Sequence, residues 1–162
     1  MDYLLFQLIN QPQRNLIDMF FIIVSQGSLF VFFASAIPML FDKKKLLPYA
    51  LVMVVAYFSA EFFKIIIQRP RPDGLLLIAE QQDYSFPSSH ASTAGAWANA
   101  MSKLYKKYAK AFWLFSLLVC FSRIYVGVHY PSDVIAGLVW GYAVSWFIMK
   151  HEKEFFRLLR VR

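Results

Sequence analysis

The stretch SRIYVGVHYPSD, residues 122–133, closes one long apolar run and opens the next, and it carries Arg123, His129 and Asp133. Ionisable groups at membrane depth cost roughly 2.5–3.5 kcal/mol each on insertion scales, so they normally face a polar cavity and serve a function there. His129 and Asp133 lie four apart across Pro131. A helix that starts at the proline would bring the carboxylate back to the imidazole in its first turn. A carboxylate on one ring nitrogen fixes the tautomer and leaves the other nitrogen basic and nucleophilic. Arg123 offers a planar fork to an oxyanion. Taken alone, the stretch has a blander alternative: a capping aspartate beside a structural histidine at a helix elbow.

The composition around this stretch excludes an ordinary soluble domain. Of 162 residues, 59% are apolar and 19% aromatic, and the apolar residues fall in runs of about twenty, the length that crosses a hydrocarbon core of roughly 30 Å. The expected fold is all-α: one polytopic membrane helical bundle over residues 1–162, with about five transmembrane helices and an N-terminal interfacial helix. The opening MDYLLFQLIN has no basic segment and no small-residue cleavage site, so it is not read as a signal peptide. Cys120, the single cysteine, sits within an apolar run and is expected in the core. The net charge of +7 comes from short clusters between apolar runs, not from a continuous stripe, which argues against a nucleic-acid partner.

In chain order, residues 1–13 are expected to lie in the membrane interface, anchored by Tyr3 and Phe6. A first span runs over 16–41, with Gln26-Gly27-Ser28 as a weak point and a kink at Pro38. A second covers about 46–67 and is stopped by RPRP at 69–72, whose prolines lack an amide hydrogen. After a polar loop over 73–86, a helix starts near Pro87. Its small residues, SSHASTAGAWANA, predict a central helix packed on all sides. Spans over 111–128 and 131–149 follow, then a basic amphipathic tail over 150–162, with Phe155, Phe156, Leu158 and Leu159 toward lipid. The turns at 42–45 and 103–110 and this tail hold 12 Lys and Arg against 3 Asp and Glu; the rest of the chain holds 5 against 7. Positive charge marks the cytoplasmic side, so the 64–90 segment and the 122–133 stretch are expected on the outer face.

Three groups of polar residues therefore converge on that face: Lys64 with Arg71, then Pro87-Ser88-Ser89-His90, then residues 122–133. Singly, Lys64 could snorkel, Arg71 could be a loop charge and Ser88 could cap a helix. Together they suit phosphate. Lys64, Arg71 and Arg123 neutralise its oxygens, and Ser88 with the free amides at the helix start donates hydrogen bonds. His129 can attack phosphorus while His90 protonates the leaving oxygen. No cofactor and no metal is expected, because two histidines without a third nitrogen, sulfur or clustered carboxylate make a poor ligand set. Glu61 is expected to pair with Lys64 three residues on. Arg69 is read as a solvated charge, with attraction of an anionic headgroup as the alternative, and His151 as surface on the opposite side.

The pattern K-x6-R-P (Lys64, Arg71, Pro72), P-S-x-H (Pro87, Ser88, Ser89, His90) and S-R-x5-H-x3-D (Ser122, Arg123, His129, Asp133) resembles the type 2 phosphatidic acid phosphatase superfamily, with all three motifs in order across about 60–140. The resemblance implies a phosphohistidine at His129, held by Asp133, with His90 as acid. It implies Lys64, Arg71, Arg123, Ser88 and the backbone amide of Ser89 around the phosphate. Ser89 stands where the family often has glycine, and membrane members often have six spans where this chain shows five. By resemblance the chain is a lipid phosphatase in a bacterial inner (cytoplasmic) membrane, its site facing the periplasm. Its substrate would be lipid A 1-phosphate or undecaprenyl diphosphate, with phosphatidylglycerol phosphate or phosphatidic acid as the alternatives. A non-enzymatic lipid-phosphate binder or transporter would need only the cations. Vanadate-dependent peroxidases share the motifs but are soluble.

Overall fold

The structure is a computed structural model and describes residues 1–13, 15–152 and 154. Among the described residues six helices follow one another: α1 (Asp2–Ile9), α2 (Leu16–Ala34), α3 (Lys43–Ile67), α4 (Ser89–Leu104), α5 (Ala109–Tyr125) and α6 (Pro131–Lys150), with short 3-10 turns at Ile37–Met39 and Lys106–Tyr108. Their limits follow from local chemistry. The Asn15 side chain accepts the Ile17 amide at 2.9 Å and starts α2. The α3 helix ends at Gln68, in left-handed conformation at φ 51°, directly before RPRP. Pro131 takes the first turn of α6, where its missing amide costs nothing. Leu16–Met39, Lys43–Ile67 and Pro131–Lys150 are long and apolar enough to cross a membrane. The 16-residue α4 and 17-residue α5 are shorter.

Two expectations for the first span fail. The α2 helix runs unbroken through Gln26-Gly27-Ser28, where the Ser28 hydroxyl donates to the Ser25 carbonyl at 3.1 Å. Pro38 lies in the 3-10 turn beyond the end of α2, so it kinks nothing. The expected lipid-facing aromatics of the tail, from Phe155 onward, lie outside the described residues.

Helix α4 is the centre of the bundle, as its small residues predict. Every residue from Ala91 to Met101 is buried, and α4 packs chiefly on α6, then on α5 and α3. Between α4 and α6 the backbones nearly touch: a Cβ on Gly141 would stand 1.8 Å from the Ser92 carbonyl oxygen. Only glycine allows that approach. Polar tips within the bundle find partners, Asn99 donating to Ser145 at 2.9 Å and Trp97 to Ser35 at 2.9 Å. Phe30, Phe33, Phe58 and Phe62 point outward and are well exposed, as suits a surface bathed in lipid.

The N-terminal helix α1 exposes Tyr3, Leu4, Leu5 and Leu8, but Phe6 is only 1% exposed. It fills a second apolar cluster with Ala91, Cys120, Ile124 and Val134, edge-on to Tyr130. Phe6 is thus a protein anchor and not a lipid anchor, and Cys120 is in the core. Asn10 completes the attachment by donating to the Leu75 and Tyr125 carbonyls at 2.9 and 2.8 Å.

Candidate active site

The end of the bundle that gathers the three motif groups is built from the end of α3, the start of α4, the end of α5 and the start of α6. The helix packing fixes its register. A Cβ on Gly137 would meet the Ser88 carbonyl at 2.4 Å, and this close approach lets the Ser88 amide donate to the Asp133 carbonyl at 3.0 Å. The first turns of α4 and α6 are therefore tied together. The loop between α5 and α6 turns through Gly127 at φ 90°, which a side chain would resist, and delivers His129 into the interior at 1% exposure.

His129 presents its two nitrogens to different neighbours. Nε2 lies 3.4 Å from an Arg71 guanidinium nitrogen, and Nδ1 lies 3.6 Å from Asp133 Oδ2. Arginine can only donate, so Nε2 meets it as a lone pair and the ring proton belongs on Nδ1, facing the carboxylate. The spacing to Asp133 is longer than the hydrogen bond expected from the sequence, and Nδ1 has no bonded partner among the described residues. The reason is a competing cap: Oδ2 accepts the Tyr130 amide at 2.9 Å, closing a capping box at the start of α6. Burial first, then the cations Arg123, Arg71 and Lys64, hold the imidazole well below its ordinary value against the smaller opposing pull of Asp83. It is neutral at physiological pH, as a nucleophile must be.

The three expected cations are present but not idle. Lys64, 4% exposed, donates to Glu61 at 2.9 Å, the expected pair, and to Asp83. Arg71 donates to Asp83 Oδ1 at 2.6 Å and to the Val128 carbonyl at 2.6 Å. Arg123 is 2% exposed; it donates to Ser25 of α2 at 2.6 Å, while its Nε has no partner among the described residues. His90, half-buried in the first turn of α4, is within charge-interaction range of Arg123, His129, Lys64 and Arg71. Ser88 caps α4 by accepting the Ala91 amide at 3.4 Å, and the Ser89 hydroxyl donates to Glu61. All the residues expected at the site are thus at one end of the bundle.

The sequence does not announce Asp83. Its carboxylate bridges Lys64 and Arg71, where an anion would bind, and their hydrogen bonds outweigh burial to pull it down to about 2. It stays ionised, and the contact is lost only as the pH falls through that value. Arg69 also departs from expectation. It is not a solvated charge but donates to Asp133 at 2.6 Å, to Ser132 at 2.6 Å and to Asp2 at 2.7 Å. The segment folds back because Ser85 bonds the Arg69 and Pro70 carbonyls, which turns Arg69 toward α6. His151, at the opposite end of α6, lies tilted against the Phe147 ring away from the site.

Comparison with known proteins bears on the same residues. The chain is 39% identical over 104 residues to a lipid A 1-phosphatase of Rhizobium johnstonii, a match covering 59% of this chain and 41% of that protein. It is 30% identical over 161 residues to an undecaprenyl-diphosphatase of Sulfolobus acidocaldarius, covering 91% and 77%. The chain thus spans less than half the length of the Rhizobium relative. Its fold is similar to that of the crystal structure of Aquifex aeolicus LpxE, with a TM-score of 0.78 and 29% identity over 92% of this chain and 94% of that one. The family model described as the PAP2 superfamily matches residues 45–157, a span that contains every charged and histidine side chain of the three motifs, and so the chain belongs to the PAP2 superfamily.

Proposed function

We propose that the chain is an integral membrane lipid phosphatase that acts through a phosphohistidine on His129, without a metal ion. The observation that supports this most is the neutral His129 with Nε2 turned toward Arg71, within charge-interaction range of Lys64, Arg123 and His90. The phosphate takes the place of the Asp83 carboxylate on Lys64 and Arg71. Arg123 and the first amides of α4 receive its remaining oxygens. Nε2 then forms the N–P bond as the bond to the leaving oxygen breaks, and His90 gives that oxygen a proton. In the second half, His90 takes a proton from water, the water oxygen bonds phosphorus, the N–P bond breaks and inorganic phosphate leaves.

The substrate class is a lipid phosphate or diphosphate, with lipid A 1-phosphate and undecaprenyl diphosphate favoured by the relatives that carry those names. Phosphatidylglycerol phosphate and phosphatidic acid are the alternatives. An open apolar groove of about 580 Å³, lined by Phe86, Ser132, Ile135, Val139 and Trp140, runs from beside Asp133 along α6 and suits a lipid chain. We count α4 and α5 as membrane-crossing inside the bundle, giving five spans, and place the site on the periplasmic face of a bacterial inner membrane by the charge asymmetry of the loops.

Purified protein should release inorganic phosphate from a short-chain lipid phosphate in the presence of EDTA. Sealed right-side-out vesicles should hydrolyse an impermeant aryl phosphate without detergent. Binding without phosphate release would leave a lipid-phosphate binder, and a requirement for added divalent metal would remove the histidine-nucleophile account. Activity only after vesicles are opened would reverse the orientation.

Asp83 gives a separate prediction. A site filled about nine-tenths of the time by its own carboxylate binds a competing anion roughly tenfold more weakly than an empty one. Asp83→Asn should therefore lower KM for an aryl phosphate about tenfold. If KM rises instead, Asp83 is a strut for the two cations and not a stand-in for the phosphate.

A further inference from the structure

Asp133 is fully buried, and the proposed reaction needs it fixed beside His129. Among the described residues the charged side chain that holds it is Arg69, whose NH1 donates to Oδ1 at 2.6 Å, with the Ser85 hydroxyl as a further, uncharged partner. The Tyr130 amide takes Oδ2, the oxygen that faces His129 Nδ1. With both anchors in place the carboxylate cannot turn about its terminal bond. Without Arg69 it loses its charged anchor and keeps only neutral ones.

Arg69 is itself braced on every side. NH1 is shared with the Ser132 hydroxyl at 2.6 Å, NH2 reaches Asp2 at 2.7 Å, and the guanidinium lies over the Tyr130 ring, 4.2 Å from its centroid. Asp2 in turn accepts the Ser132 amide at 3.1 Å and the Ser132 hydroxyl. The N-terminal helix, the segment after α3 and the start of α6 are thus locked through one guanidinium. A planar fork with several fixed donors and a stacking face meets these demands, which a lysine ammonium cannot. Charge bookkeeping agrees: Asp2 and Asp133 flank one cation, so the phosphate pocket is not its destination.

We propose that Arg69 is a positioning residue for Asp133, braced by Asp2 of α1, and that it acts on the reaction only through that carboxylate. The proposal rests on the phosphohistidine reading of His129. It places Arg69 outside the phosphate pocket, although it stands two residues from Arg71 in the same RPRP segment.

The test is turnover of an aryl phosphate by single and double variants, each checked for unchanged thermal unfolding. Misplacing a reacting group by about 1 Å costs on the order of 10²-fold, so Arg69→Gln should lower kcat about 100-fold and leave KM within about twofold. Arg69→Lys should recover only part of the loss, and added guanidinium should rescue Arg69→Ala. Asp2→Asn should lose about tenfold in kcat, in the same direction. In an Asp133→Asn background, Arg69→Gln should change kcat by less than about twofold, because the residue through which it acts is gone. A full further loss in that background, or a rise in KM with kcat unchanged, would overturn the proposal and make Arg69 a phosphate ligand or an independent strut. If Arg69→Gln does not fold, the same cycle with Arg69→Lys decides. Wild-type protein that releases no phosphate overturns the phosphatase reading and this inference with it; active wild type with an additive cycle overturns this inference alone.

Discussion

Replacing His129 by alanine should abolish turnover on every substrate, and no phosphoenzyme should be trapped. The expectation follows from the position of the ring. Nε2 lies 3.4 Å from the Arg71 guanidinium, and in the proposed reaction it forms the bond to phosphorus whatever group leaves. Alanine removes the nucleophile while leaving Lys64, Arg71 and Arg123 to bind the phosphate, so binding of a phosphate mimic such as vanadate should survive where turnover does not. Removing a catalytic nucleophile elsewhere has cost on the order of 10⁶-fold in kcat, with some 10³–10⁴-fold over water left from binding and electrostatics. A drop of no more than about tenfold, or a labelled phosphoenzyme in the variant, would mean that water attacks directly and that His129 only assists.

The parts of this site that could be read from sequence are those whose chemistry is written in residue type and local spacing. Lys64 with Arg71, Ser88 with His90, and Arg123 with His129 are ionisable or polar groups at the ends of apolar runs, where they are too costly to be incidental. The central position of α4 was legible for a similar reason: Ala, Ser and Gly at successive turns leave no large face for lipid, so the helix must be enclosed. Pairings across the fold carried no such signal. Asp83 is one of three acids in the 73–86 loop, and nothing in its spacing sets it apart from Asp73 and Glu80. Its role depends on that loop closing over Lys64, 19 residues away. Asp2 meets Arg69 across 67 residues, and Ser25 meets Arg123 across 98.

The pair His129 and Asp133 shows the opposite failure. Four-residue spacing across a proline correctly predicts proximity, yet the helix start at Pro131 also needs its own amides satisfied. Tyr130 takes the carboxylate oxygen for that purpose, and the imidazole is left at 3.6 Å. A phosphate arriving at Nε2 would make the ring cationic and draw Nδ1 toward the carboxylate, since catalytic hydrogen bonds tighten as charge develops.

His90 should separate substrates by how badly the leaving oxygen needs a proton. It stands in the first turn of α4 within charge-interaction range of His129 and the three cations, which is the position the proposed acid role requires. An alkoxide from a glycerolipid monoester cannot leave without a proton, and general acid help is worth roughly 10²–10⁴-fold. The p-nitrophenolate of an aryl phosphate leaves nearly unaided. His90→Ala should therefore lose far more kcat/KM on the lipid monoester than on p-nitrophenyl phosphate, with a lipid diphosphate between them because its leaving group is itself a phosphate. In the proposed second half-reaction the same residue is the base for the attacking water, so labelled phosphohistidine should accumulate in His90→Ala turning over the aryl ester. The comparison requires that formation of the phosphoenzyme limits turnover, which single-turnover release of p-nitrophenolate will show; slow hydrolysis of the intermediate would flatten the differences. With that condition met, equal losses on all three substrates would remove the acid role and assign His90 to binding the phosphate.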